Sequence, residues 1–258
     1  MFAELFADLW AEGEALDAIV AELPAADWAL PTPARGWTVA HQIAHLAWTD
    51  EVAVLAAEQP DAFLAQLQSV ADPFTYVDRM AEVGAAAPPA ELLARWRAGR
   101  VRLVEALRTV PADAKLLWFG PPMKPASMAT ARLMETWAHG LDVAEAVGAA
   151  VEPTARLRHI ARLGVRTRDF AYQVRGLTPP AAQFRVELTA PDGELWTFGP
   201  DAAAQRVTGP ALDFVLLAAR RRHRADLALR PEGPDADHWL DIAQCFAGPP
   251  GEDPRPRV

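Results

Sequence analysis

Phe2, Leu5, Phe6, Leu9, Leu16, Ile19, Val20 and Leu23 fall three and four residues apart. That spacing predicts an amphipathic opening helix over 2–23, ended by Pro24. The stretch 31–36 reads as a loop. Thr38 stands where an N-cap belongs, and residues 39–57 are apolar around much of the helical circumference, as in a helix surrounded by others. A less regular helical region covers 61–83. Pro88 and Pro89 open a further helix, 90–107, whose apolar positions include Leu92, Leu93, Trp96, Leu103 and Leu107. A loop with Gly120, Pro121, Pro122 and Pro125 leads into a helix over 128–148, with Gly148 in the C′ place. Four main helices of this length suit an antiparallel four-helix bundle.

The pattern then changes. An Arg-rich helix over 154–176 is expected to bridge to the second half, with Arg158, Arg162 and Arg166 forming a solvent or interdomain stripe. From 184 to 190 the apolar Phe184, Val186 and Leu188 alternate with Arg185, Glu187 and Thr189, a strand signal. Pro191-Asp192-Gly193 is turn chemistry, and 194–198 makes the returning strand of a hairpin. A short strand near 205–207, a helix over 210–222 and a last helix over 237–246 complete a small α+β domain. The expectation is a mainly α chain with a smaller α+β part. Its domains are 1–177, a helical bundle with its bridging helix, and 178–258, ending in a disordered Pro-rich tail from Gly248.

With 258 residues, 51% of them hydrophobic and 23% charged, the chain can bury a core without disulfides. Acidic or basic residues break every apolar stretch well before the roughly 18 residues that a membrane span needs. Residues 1–12 carry Glu4, Asp8 and Glu12 and lack the layout of a signal peptide, so a cytoplasmic protein is expected. Cys245 is alone, which excludes an internal disulfide and a Cys-rich zinc site; a small core residue is the expected role. The net charge of -9 argues against a nucleic-acid partner. A monomer and a homodimer are both compatible with these numbers.

Two helices carry the candidate chemistry. In the 128–148 helix, Glu135, His139 and Asp142 share a face within an arc of roughly 60°. A carboxylate and an imidazole one turn apart can hold the same Zn²⁺, or can simply form a surface hydrogen bond. In the 39–57 helix, His41 and His45 lie at or inside the apolar arc, where a buried imidazole needs a partner. That partner could be a metal, a backbone carbonyl or a carboxylate. His41 is also the third helical residue after Thr38, the place where a capping box usually carries Glu or Gln. His45 is therefore the better ligand, with His41 a fourth ligand or a supporting group.

The segment Gly36-Trp37-Thr38-Val39-Ala40-His41-Gln42-Ile43-Ala44-His45-Leu46 resembles the signature that opens the second helix of DinB-like bundle proteins: Trp, Ser or Thr, and Val, then His-Leu after five intervening residues. With Glu135 and His139, it resembles the branch containing the mycothiol-dependent maleylpyruvate isomerases and a set of actinobacterial metal-binding relatives. The resemblance implies a DinB-like antiparallel four-helix bundle followed by a sterol-carrier-like α+β domain. It places a metal triad on His45, Glu135 and His139. It also implies an active-site Arg from the C-terminal domain, for which Arg222 and Arg221 in the run 220–224 are candidates; a solvated helix end is the alternative.

Three protein ligands would leave a fourth position open, as in catalytic zinc sites, and Ni²⁺, Co²⁺ or Fe²⁺ could replace zinc. Mycothiol or a similar small thiol would enter there as thiolate and act on a small electrophilic substrate, by isomerisation or by S-transfer. The Arg would hold a substrate carboxylate, and a cleft between the domains would house the thiol. Two alternatives stay open: a hydrolase activating water, with Asp142 or His41 taking the proton, and a metal-binding protein without turnover.

Overall fold

The computed structural model describes residues 2–70, 72–252 and 254–257. The chain forms two compact units, Met1–Val151 and Glu152–Val258. The Arg-rich segment expected to complete the first domain groups with the second instead.

The first unit is built on α1 (Phe2–Val20), α2 (Val39–Glu58), α3 (Pro60–Ser69), α4 (Pro73–Ala85), α5 (Pro89–Thr109) and α6 (Pro125–Val147). The region expected to be one irregular helix, 61–83, is two, α3 and α4, with Pro60 and Pro73 each opening one. The long helices α1, α2, α5 and α6 enclose a core in which Leu16, Val20, Ile43, Ala47, Leu92, Trp96 and Val143 meet. Arg100 of α5 stacks on Trp96 at 4.4 Å and pairs with Asp17 of α1 at 2.7 Å, which locks those two helices together. Gly148 closes α6 with φ 69°, a left-handed conformation that glycine adopts without strain. The α4 backbone approaches α2 so closely that a Cβ on Gly84 would lie 2.8 Å from the Ala44 Cβ.

In the second unit, the expected helix over 154–176 is broken into α7 (Leu157–Arg166) and α8 (Arg168–Gln173). Thr167 makes the break: its hydroxyl binds the Leu163 and Gly164 carbonyls and also the Gln244 carbonyl. Arg158, Arg162 and Arg166 are exposed, as the stripe predicted, and Arg158 also lies over the Trp196 ring at 5.9 Å. The hairpin forms as expected from β1 (Phe184–Thr189) and β2 (Leu195–Phe198), with Val186, Leu188 and Trp196 buried. Strand β3 (Gln205–Pro210) runs parallel to β1, and β4 (Arg230–Glu232) pairs antiparallel with β3, giving the order β2-β1-β3-β4. Neither the parallel pairing nor β4 was expected; β4 has three residues, one of them proline, and no alternation to show. Helix α9 (Ala211–Ala218) ends short of the predicted 222, because the chain turns at Arg220 with φ 54°. Cys245 is a buried core residue whose N–H binds the Ala218 carbonyl, and α10 (Pro234–Ile242) packs Trp239 under the sheet. Among the described residues the tail after Gly248 has no helix or strand, and the Arg257 N–H reaches the Asp226 carboxylate at 3.0 Å. No helix among the described residues is long and apolar enough to cross a membrane.

Candidate metal centre

The core residues that fix α2 against α6 also aim their polar residues at one another. His45 projects from α2, and Glu135 and His139, one turn apart, project from α6. Glu135 Oε2 lies 3.3 Å from His45 Nε2 and 3.1 Å from His139 Nε2. One ligand atom from each of the three lies within 4.8 Å of the others, and among the described residues this is the group so arranged.

The hydrogen bonds around the group state what belongs between these atoms. Gln42 is buried on α2, its amide N–H₂ donates to Thr32 Oγ1 at 2.8 Å, and its Oε1 therefore faces His139 Nδ1 as an acceptor, at 2.5 Å. His139 Nδ1 carries the proton, so in a neutral ring the Nε2 lone pair points at a carboxylate oxygen. Two lone pairs at 3.1 Å repel unless a cation lies between them. The residues thus fit a divalent ion: two imidazole nitrogens and one carboxylate oxygen are a zinc donor set, and an imidazole whose far nitrogen is anchored by an acceptor is the usual supporting arrangement. Burial alone would raise the pKa of Glu135, but in the metal-free protein the His139 and His45 rings, when protonated on Nε2, together with the charge of Arg132 hold it well below the usual carboxylate range. It is an anion, as a ligand must be.

Trp37 roofs the group. Its ring stacks on His139 at 5.8 Å and tilts against His45 at 5.3 Å, and its Nε1–H donates to Asp78 of α4 at 3.1 Å. His45 is wedged between Trp37 and Trp48, and its buried Nδ1 makes no hydrogen bond.

Of the other candidates, His41 is committed elsewhere. Its Nδ1 accepts from the Thr38 N–H at 3.3 Å, completing the capping box of α2, and its Nε2 pairs with Glu82 of α4 at 2.7 Å. Both nitrogens are engaged there, and His41 is not among the converging atoms. Asp142 is buried one turn beyond His139 and is not among the converging atoms. Arg221 and Arg222 belong to the second unit. Each donates to a nearby backbone carbonyl, Ala219 and Arg221 respectively, and Arg222 lines a cavity of about 450 Å³ with Arg220, His223 and Arg224.

Sequence reasoning missed Gln42, Trp37, Asp50 and Arg132. Gln42 and Arg132 each stand three residues before a ligand, on the same helical face, and that spacing was the available signal. Arg132 is buried, stacks over Trp118 at 5.3 Å and lies 3.7 Å from Glu135 Oε1. Asp50 is also buried, and desolvation pushes its carboxyl up to about 7 despite the attraction of Arg132 and Arg100.

Comparison with known proteins agrees with this architecture. Residues 180–230 match a family model described as wyosine base formation. Two Mycobacterium tuberculosis proteins described as uncharacterised, MT0041 of strain CDC 1551 and Rv0036c of strain H37Rv, are each 59% identical over 247 residues, 95% of this chain and 96% of theirs. The crystal structure of a mycothiol-dependent maleylpyruvate isomerase superposes with a TM-score of 0.62 at 18% identity, covering 91% of this chain and 95% of that one. A histidine-to-alanine mutant of that enzyme gives the same TM-score at 17% identity. Residues 9–144, the span that carries His45, Glu135 and His139, match the model of the mycothiol maleylpyruvate isomerase N-terminal domain, and the chain belongs to that family.

Proposed function

We propose that the protein is a divalent-metal enzyme, with zinc as the resident ion, that uses a small thiol such as mycothiol to isomerise a small electrophilic substrate. The observation that carries this is the facing of His45 Nε2, Glu135 Oε2 and His139 Nε2, with the His139 proton fixed on the far side by Gln42. Family membership and the fold shared with a mycothiol-dependent isomerase support the thiol.

A metal held by three protein ligands supplies an open position at which a thiol is deprotonated at neutral pH. When bound there, the thiol would supply reversible addition to and elimination from a double bond conjugated with a carbonyl, the chemistry by which a cis alkene can be returned as trans. The chain's own residues do the rest. His45, Glu135 and His139 hold the ion, and Gln42 keeps the His139 proton on Nδ1 so that Nε2 faces inward. Trp37 and Trp48 wall the site with apolar surface, which limits water around a reactive anion. S-transfer would need the same parts, with release of the adduct in place of elimination. The commitment of His41 to the α2 cap removes one of the two bases a hydrolytic route would use.

Elemental analysis followed by Co²⁺ substitution tests this. About one metal per chain is expected, with a sulfur charge-transfer band on adding mycothiol, and loss of most metal in His45→Ala and His139→Ala. Full metal retention in both variants, or a cobalt spectrum indifferent to thiols, would overturn it.

A further inference from the structure

Among the described residues of the first unit, two arginines are buried, and they differ in what they meet. Arg100, 8% exposed, has Asp17 at 2.7 Å and Glu14 at 3.2 Å. Arg132, 3% exposed, has no carboxylate oxygen within hydrogen-bond reach: Glu135 Oε1 is 3.7 Å from Nη2, and Nε and Nη1, both sealed from solvent, make no hydrogen bond. Asp50 does not fill the gap. It attracts Arg132 at a distance, yet burial dominates and its carboxyl is driven towards neutrality, the reverse of what a bonded ion pair does. The guanidinium is kept in place by Trp118, which itself stacks on Phe63 at 6.2 Å and meets Phe119 at 5.2 Å.

An always-charged group with unused donors in a protein interior is costly, because desolvation is not offset by partners. In native structures such a group is completed by something other than the protein's own side chains, an ordered water or an anion. The charges point the same way. A divalent ion at the triad together with Arg132 outweighs the single negative charge of Glu135, even with Asp50 ionised, so the site is matched to an anionic guest. Guanidinium is suited to a planar carboxylate, to which it can give more than one N–H.

We propose that Arg132 is the carboxylate-binding residue of this site, anchoring an acid group of the small-molecule substrate beside the metal triad. The choice of substrate rests on the proposed function; the anion site rests on Arg132. It gives the carboxylate of the proposed substrate a named partner. It also places the anchor in the bundle, in the same unit as the metal ligands, where the sequence had pointed to Arg221 and Arg222.

The test measures binding of maleate and of its uncharged diamide to metal-free and zinc-loaded protein, by calorimetry and by the carbon resonances of the labelled ligand. Wild type is expected to bind maleate without metal, more tightly with zinc, and to ignore the diamide. Arg132→Gln should weaken maleate at least tenfold in the metal-free protein while zinc stoichiometry is unchanged, and Arg132→Lys should restore part of the affinity. Equal maleate affinity in wild type and Arg132→Gln overturns the proposal. Loss of zinc along with maleate in Arg132→Gln also overturns it, since Arg132 would then only orient Glu135. If Arg132→Gln does not fold, Arg132→Lys and the wild-type preference for maleate over diamide decide the matter. No binding of maleate to wild type means the donors hold ordered water only. N-acetylcysteine serves as the second arm: Arg132-dependent binding of it without binding of maleate assigns the anchor to the thiol and overturns the substrate role. A protein that binds maleate through Arg132 but shows no thiol band would refute the proposed reaction and leave the anion site standing.

Discussion

Gln42 touches no metal ligand atom directly, yet it decides which way the His139 lone pair points. Its Oε1 fixes the proton on Nδ1, and its own N–H₂ is fixed by Thr32, so the amide cannot turn over without losing both bonds. Gln42→Ala is therefore expected to weaken metal binding by about 10- to 100-fold with the three ligands intact, measured by competition with a chelator; unchanged affinity would mean that the triad orients itself. Asp50 supplies a prediction with a sign. Its folded pKa, about 7, exceeds the ordinary aspartate value of 3.8, so the folded state holds a proton that the unfolded state releases. Stability from this group is complete below pH 3.8 and declines as pH rises towards 7. In the metal-free protein Asp50→Asn should flatten that decline, gaining up to about 4 kcal/mol at pH 8 and nothing near pH 3, read from denaturant midpoints across pH. Glu135 runs the other way: its depressed pKa contributes stability above 4.5 that is lost on acidification. The ligands His45, Glu135 and His139 were legible because helical spacing and family resemblance both point to them. Asp50 and Arg132 were not, because a charged residue on an apolar helix looks the same in sequence whether it snorkels to water or is sealed inside.

Between residue and bundle, α4 does the connecting. Asp78 and Glu82, one turn apart, hold Trp37 and His41, so one helix pins both the roof of the site and the cap of α2. His41→Ala removes half of the capping box and a hydrogen bond to Glu82, which is mostly exposed, so the cost should be about 1 kcal/mol, carried by the cap, with metal content unchanged. Metal loss in that variant would return His41 to the ligand set. Gly84 is the sharper probe of the element. Helix propensity alone would have Gly84→Ala gain about 0.5–1 kcal/mol. The Ala44 Cβ only 2.8 Å from the added methyl makes the change an overpacking one, and a loss of about 1–3 kcal/mol in thermal or denaturant unfolding is expected instead. The periodicity of 61–83 announced a helix there, but the sequence does not show which residue touches Ala44 or that the region is two helices. For the same reason the break at Thr167 went unread: the Gln244 carbonyl that its hydroxyl binds is 77 residues away in sequence.

At the scale of the chain, the triad belongs to the first unit and the arginines that the sequence offered as its partners belong to the second. Bundle and hairpin were legible because each repeats a local period over many residues. The boundary at Val151 was displaced in the sequence reading because an Arg-rich helix gives no local sign of the unit it packs with, and Gly164 settles the matter only by meeting Phe214 and Ala218 of α9. Arg221 and Arg222 already spend a guanidinium N–H each on backbone carbonyls near their own turn, at 2.9 and 2.7 Å. Arg132 has two nitrogens with nothing to bind. If the acid group of the substrate is anchored in the bundle, replacing both second-unit arginines with Gln should leave zinc content unchanged and metal-free maleate affinity within about twofold of wild type, since independent sites do not couple. Arg132→Gln and the double variant then form a two-way test on one binding isotherm. A tenfold loss in the double variant, equivalent to about 1.4 kcal/mol, with no loss in Arg132→Gln would move the anchor to the second unit and make it, rather than the bundle, the source of substrate selection.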